Sequence, residues 1–550
     1  MNLKNPFRQM AIDRIPSFHH EHPTYRWWVL GNVLITTFMA VIEATIVNTA
    51  LPKMQSSFGT SLDTIEWVLT AFNLVFAVVL PLSGWLSEKM GYKRTFLLAL
   101  VLFTGGSFLC SLAWNEDVLI FFRVIQGIGA GLIQPVGTSI VTREFPPQQR
   151  AVAFGFYGIA AAASLSLGPS LGGYLTDNFG WSSIFLINVP FGILSMVATL
   201  VIQREYRNPK IGPFDMTGFL MVTIFLLSLL LGLADGNAAW NTGGWTSPFI
   251  LSCFAVAFVS LVLFFVVEAR TDHPIIDLKM FLNRNFGLAS ILLFAIGLIL
   301  LGSTFLTPVY LQGSLGYTAL QSGLVFLPLG LIQAMVSPVT GILNQRVDAR
   351  IPALAGLFFL ALSFYLNTFL SVDPPYWLLL LPICVRGIGF GLIFITVQSV
   401  AIASMPREKI SQGSGLINLA RQVGASFGVA LMGLILSQRN IFHSAVSGEG
   451  VNIWSESFRN AAAQLRYTIT SDGGQTTAVA NTLTQVLIAR DASSKAFIDS
   501  VNDSFIVVTL MISVLVIPVL FWKFPKKPAG APGPAQGHGK PAETHAVAME

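Results

Sequence analysis

Apolar runs of about twenty residues recur along the whole chain, divided by short polar stretches. About 20 helical residues cross a bilayer core, so each run predicts a membrane helix. The runs lie near 27–50, 65–86, 95–114, 118–142, 151–175, 183–202, 217–234, 248–268, 286–311, 319–343, 351–370, 376–404, 411–436 and 503–523, which makes fourteen spans. One polar insert is long, residues 437–500. Within it, "SESFRNAAAQLRYTI" and "TTAVANTLTQVLIARDASSKAFIDSVNDSF" read as helices split by the turn "TSDGGQ". Val479, Leu483, Val486 and Leu487 recur at helical spacing, so a helical hairpin is expected there.

Composition supports this picture. Of 550 residues, 53% are hydrophobic and 11% charged, against about 25% charged in soluble domains. The chain reads as an all-α polytopic membrane protein. Its net charge of +5 does not point to nucleic acid, because the basic residues are spread among loops. An even number of spans puts both termini on one side. With that side cytoplasmic, the inside segments hold Lys89, Lys93, Arg94, Arg143, Arg150, Arg270, Arg346, Arg350 and Lys409 among others. The short outside loops hold only Lys53. This is the positive-inside asymmetry. The first 26 residues are polar for too long to be a cleavable signal, so the first span is expected to act as an uncleaved one. Cys110, Cys253 and Cys384 sit in apolar runs with no disulfide or metal spacing. His19-His20-Glu21-His22 reads as a solvated juxtamembrane segment rather than a metal site. No cofactor is expected.

An internal repeat divides the chain. "QGIGAGLI" (126–133) matches "RGIGFGLI" (386–393), and the same offset carries Pro146 onto Pro406, Gly155 onto Gly415 and Gly168 onto Gly428. A nearby offset carries "GWLSEKMGYKR" (84–94) onto "GILNQRVDARI" (341–351). Spans 1–6 therefore resemble spans 9–14, with spans 7 and 8 inserted. Parallel six-helix repeats build one large class of secondary transporters. The expected organisation is a segment 1–26, a six-helix bundle 27–202, a linker with two inserted helices 203–285, a second bundle 286–523 carrying the hairpin 437–500, and a disordered Pro/Gly/Ala-rich tail 524–550.

Ionisable groups inside spans are costly and mark function by default. Glu43, in "VIEATIVNTALP", lies deep in span 1. Arg123, Gln126, Gly127, Ala130 and Gln134 fall on one face of span 4. A buried arginine needs a partner or a wet cavity, and Glu43 is the candidate partner. Asn73 lies in span 2; Arg386 and Gln398 lie in span 12, and Asn418, Arg421 and Gln422 in span 13. These are candidates for a substrate pathway. With one deep carboxylate against three arginines, the pathway reads electropositive and suits anionic or neutral amphipaths. In "SLSLGPSLGGYL" (164–175), Ser164, Gly168 and Gly172 are spaced for close helix packing, Gly173 adds a further small residue, and Pro169 can kink the helix.

Three of these stretches, "GWLSEKMGYKR", "FRVIQGIGAGLIQP" and "SLSLGPSLGGYL", resemble the signature motifs of the drug:proton antiporters of the major facilitator superfamily. "EATIVNTALP" and "WSSIFLINVP" narrow the resemblance to the fourteen-span EmrB/QacA type, over about Trp27 to Trp522. It implies proton coupling at Glu43 and Arg123, and conformational roles for Gly84, Glu88, Lys93, Arg94, Gly168, Pro169, Gly172 and Gly173. It further implies a bacterial inner membrane, and an adaptor and outer-membrane channel docked at the hairpin. The sequence departs from the family pattern in three places. Glu43 and Glu88 stand where Asp is usual, and Trp181-Ser182-Ser183 stands for Trp-Arg-Trp. The expected activity is proton-driven multidrug efflux. The alternatives are an exporter of one metabolite or siderophore, and a non-transporting sensor or scaffold. An enzyme is a poor fit, with no His or Cys constellation at membrane depth.

Overall fold

The computed structural model describes residue 22 and residues 24–522, except 208–211, 237, 239, 273, 406–408, 451–455 and 472–476. The terminal segment through Glu21 and the tail from Lys523 lie outside the described residues, as does most of the "TSDGGQ" turn.

The described chain is all helix and turn, with no strand. The first bundle comprises α1 (Tyr25–Phe58), α2 (Leu62–Met90), α3 (Tyr92–Ser111), α4 (Glu116–Glu144), α5 (Pro147–Phe179), α6 (Ser183–Leu186) and α7 (Asn188–Ile202). The inserted pair is α8 (Met216–Asp235) and α9 (Pro248–Arg270). The second bundle comprises α10 (Arg284–Gly313), α11 (Ala319–Val325), α12 (Leu327–Arg346), α13 (Arg350–Leu366), α14 (Tyr376–Ala403), α15 (Ile410–Gly450), α16 (Glu456–Ser471), α17 (Thr477–Val514) and α18 (Val516–Leu520). Thirteen helical stretches are long and apolar enough to cross a membrane. α5, equally long and packed between α1 and α12, makes fourteen.

Local chemistry sets the helix ends. Asn115 accepts the Val118 N–H at 2.9 Å to cap α4, and Glu116 and Asp117 face the positive end of its dipole. Ser61 caps α2 and Asp215 caps α8 in the same way. Two predicted spans are broken, at Ile187 between α6 and α7 and at Phe326 between α11 and α12. α15 and α17 do not stop at the apolar boundary. Both run on past it, and with α16 they form the projection that the polar insert predicted.

Glycines fix how the helices approach. A methyl on Gly127 would lie 2.9 Å from the Phe72 carbonyl oxygen, and one on Gly387 2.7 Å from that of Leu329. Gly129 meets the Phe103 nitrogen and Gly389 the Leu360 nitrogen in the same way. The repeated glycines therefore seat α4 and α14 against matching neighbours in the two halves.

The halves meet tightly at the end that carries both described termini. There Gly84 lies against Gln412, Gly415 against Leu80, and Gly155 against Pro338. α8 lies across α2 and α15, while α9 packs on α8 and turns Phe258, Val259, Leu263 and Phe265 outward, as a lipid-facing helix should.

Candidate functional site: a buried ion pair behind a central cavity

Glu43 and Arg123 meet in the core of the first bundle, both fully buried. Arg123 Nη1 donates to Glu43 Oε1 at 2.5 Å and to Gln126 Oε1 at 2.7 Å, and its Nε donates to the Val68 carbonyl at 2.9 Å. Asn188 Nδ2 donates to Glu43 Oε2 at 2.6 Å. Gln126 in turn donates to Ser107 at 2.6 Å. Five helices, α1, α2, α3, α4 and α7, are thus tied to one charge pair. A buried pair is tolerable only with such satisfaction, because desolvation costs several kcal/mol per ion. The Arg123 guanidinium carbon sits 4.0 Å from the Phe72 ring centroid.

Phe72 separates this pair from a cavity of about 630 Å³ between the halves. The cavity runs along Ala40 to Pro52 of α1 and Gly297 to Gln312 of α10, so it occupies the half of the molecule away from the termini. Asn73, Gln134, Arg421 and Gln422 line it, with Phe72, Phe76, Phe326, Phe390 and Phe394 as apolar walls. Arg421 Nη2 donates to Gln134 Oε1 at 2.5 Å and to Asn418 Oδ1 at 3.1 Å, so one guanidinium ties the second bundle to the first. Among the described lining residues there is no carboxylate.

The other candidates lie off this wall. Gln126 faces the ion pair. Asn418 is buried behind Arg421. Gln398 is buried, and its Oε1 has no hydrogen-bond partner among the described residues. Arg386 points at α13, where its Nε meets Ser363 at 3.3 Å and its guanidinium stacks 4.2 Å from Phe364. By the repeat, Arg386 stands where Gln126 stands in the first half. Its two terminal nitrogens have no partner among the described residues.

The motif residues divide between two places. At the termini end, Gly84 allows the α2–α15 contact, Glu88 pairs with Arg143 at 3.3 Å, Lys93 Nζ donates to the Leu200 carbonyl at 2.6 Å, and Arg94 faces Glu205 at 3.7 Å. Along α5, Gly168 lies against Thr45 and Gly172 against Thr49, while Ser164 donates to the Phe38 carbonyl at 3.0 Å. Gly173 is buried beside them, and Pro169 reaches the cavity. This motif therefore packs α5 onto the helix that carries Glu43.

Sequence reasoning missed two groups. Asn188 lay in view within "WSSIFLINVP", with nothing local to show its partner 145 positions away. Glu268, near the end of α9, is 5% exposed, so Glu43 is not alone among carboxylates buried in a span.

The family model of the Major Facilitator Superfamily matches residues 33–234 and 215–429. The chain belongs to the major facilitator superfamily. It is a membrane transporter rather than an enzyme. It is 30% identical to the multidrug export protein EmrB of Escherichia coli K12 over 510 residues, covering 92% of this chain and 96% of that one. It is 28% identical to the fatty acid resistance protein FarB of Neisseria gonorrhoeae over 508 residues, 92% and 97% of the two chains. The crystal structure of the human organic anion transporter MFSD10 superposes with a TM-score of 0.55 at 16% identity, covering 88% of this chain and 99% of that one. That likeness confirms the fold.

Proposed function

We propose that the protein is a proton-driven multidrug exporter working by alternating access, with Glu43 as the proton carrier. The observation that carries this reading is the fully buried Glu43–Arg123 pair, one aromatic ring away from the cavity. The positive-inside asymmetry supports cytoplasmic termini, and bacterial relatives support a bacterial cell membrane. The structure is then the outward-facing form, shut on the cytoplasmic side. In it, ionised Glu43 is held by Arg123 and Asn188. A proton arriving from outside removes the charge that Arg123 holds. The uncompensated arginine costs about 3–5 kcal/mol, enough to bias the balance toward the other facing state.

The cavity favours anionic or neutral amphipaths, because Arg421 is its one described ionised group among aromatic and amide walls. A relative named for fatty acid resistance agrees with that chemistry. The test is substrate-induced proton movement in proteoliposomes over a panel of anionic, neutral and cationic amphipaths. Arg421→Gln should weaken anionic substrates roughly tenfold or more, the worth of about 1.5–3 kcal/mol for a charged hydrogen bond, and leave neutral ones nearly unchanged. Equal losses for both classes would count against the assignment.

The hairpin is proposed to dock a periplasmic membrane-fusion adaptor that leads to an outer-membrane channel. It presents Ile441, Phe442, Val446, Tyr467 and Val486 to solvent. At its base Asp503 binds both Arg439 and His443, so the two ends of the projection are close. Deleting 440–498 should therefore leave a joinable bundle that still transports in vesicles and no longer co-purifies with the adaptor. Adaptor capture by the shortened protein would refute docking there.

A further inference from the structure

Arg421 stands between the two bundles at the floor of the central cavity, and its two partners differ in kind. A guanidinium carries five N–H protons, two on each Nη and one on Nε, and accepts nothing. Arg421 Nη2 has both of its protons engaged, one on Gln134 Oε1 at 2.5 Å and the other on Asn418 Oδ1 at 3.1 Å. Its Nη1 and Nε make no hydrogen bond among the described residues.

The two acceptors respond differently when the bundles move. Asn418 lies one turn before Arg421 on α15, and its Nδ2 donates to the Ser414 carbonyl at 2.9 Å, which leaves Oδ1 for Arg421. That bond travels with α15 as one body. Gln134 is on α4, in the other bundle, 287 positions away. Its bond lasts only while the floor is closed. The contacts of Gly415 with Leu80 and of Gly84 with Gln412 also hold the bundles together, but they lie outside the lining of the central cavity. The Gln134 tie is within a ligand's reach.

A planar carboxylate is held best by two parallel N–H bonds, from Nη1 and Nη2 or from Nε and Nη2. Both pairings need Nη2. With both Nη2 protons taken, a carboxylate in this cavity can receive only a single bond, from Nη1 or Nε. Withdrawing Gln134 frees one Nη2 proton and reopens a fork.

We propose that Gln134 competes with the substrate's carboxylate for Arg421, so that shutting the floor turns a two-bond grip into a one-bond grip and releases the substrate outward. This rests on Arg421 holding the charge of anionic substrates, and it narrows that class to carboxylates. The competition is reciprocal: a bound carboxylate weakens the tie between the bundles by the same factor as the tie weakens the carboxylate. An exporter needs this sign, because a substrate gripped inside must leave outside.

The test is calorimetric titration of the purified full chain with 1-naphthylacetate and with its neutral amide, 1-naphthylacetamide, whose ring suits the phenylalanine walls. Gln134→Ala should bind the acid roughly tenfold tighter, as expected for one charged hydrogen bond, and the amide as before. Gln134→Glu gives Arg421 a stronger internal acceptor and should bind the acid roughly fivefold weaker or more. Gln134 borders the cavity, so both variants should fold. Spin labels at Lys89 and Arg346, on the termini ends of α2 and α12, should move apart when the acid binds the wild type. They should stay in place when it binds Gln134→Ala. Unchanged acid affinity in Gln134→Ala, or an equal gain for acid and amide, would overturn the competition. Acid binding untouched by Arg421→Gln would fail one step earlier, removing the carboxylate's partner itself.

Discussion

Glu43→Gln should insert and fold, yet its substrate-induced proton release should fall to background. Glutamine keeps the shape of the side chain and can still meet Asn188 and Arg123, so the five-helix knot survives in outline. What disappears is the group that gains and loses a proton. Passive substrate exchange across the vesicle membrane should persist, which separates lost coupling from lost folding. Glu43→Asp sharpens the test. It restores a carboxylate about 1.5 Å shorter in reach and should recover coupling with an altered pH dependence. Full proton release from the glutamine variant would remove Glu43 from the mechanism.

Gly84→Ala should be nearly as damaging by a different route. The added methyl would lie 2.8 Å from the Gln412 Cα and 3.1 Å from its nitrogen. Carbon contacts are comfortable at about 3.5–4.0 Å, and backbone atoms cannot rotate aside. Overpacking of this kind costs about 1–3 kcal/mol, here charged only to the form in which α2 and α15 touch. The balance should swing roughly five- to 150-fold toward the form open at the termini end. Labels at Lys89 and Arg346 should move apart, and export should fall. An unchanged distance distribution would show that the contact yields more easily than its geometry implies.

The fold was legible because lipid imposes a one-dimensional rule. Every spanning segment must be apolar and helical, so hydropathy located fourteen helices. The same rule explains the misplaced ends. Hydropathy reports where lipid stops, not where a helix stops, so α15 runs to Gly450, beyond the predicted 411–436, and the hairpin helix read over 476–505 joins the span read over 503–523 as the single α17. The breaks at Ile187 and Phe326 leave no gap in apolarity; their signal is a proline just beyond each, Pro190 and Pro328, which the hydropathy reading passed over. Glu43 and Arg123 stood out because charge is rare at that depth. Which way Gln126, Gln398 and Arg386 point did not. A helix surrounded by protein on most sides has no polar face to orient it, and only the assembled neighbours decide. Asn188 shows the same limit from another side: its chemistry was ordinary until α7 came beside α1.

α15 has one consequence beyond its contacts. It is a single helix of 41 residues, about 60 Å long at 1.5 Å per residue. Gln412 at the shut gate, Arg421 at the cavity floor and Arg439 at the base of the projection all ride on it. A stiff rod cannot tilt at one end alone. Whatever grips the projection has leverage on the gate, and a transporter seized from outside would have its inner door held by the same hand.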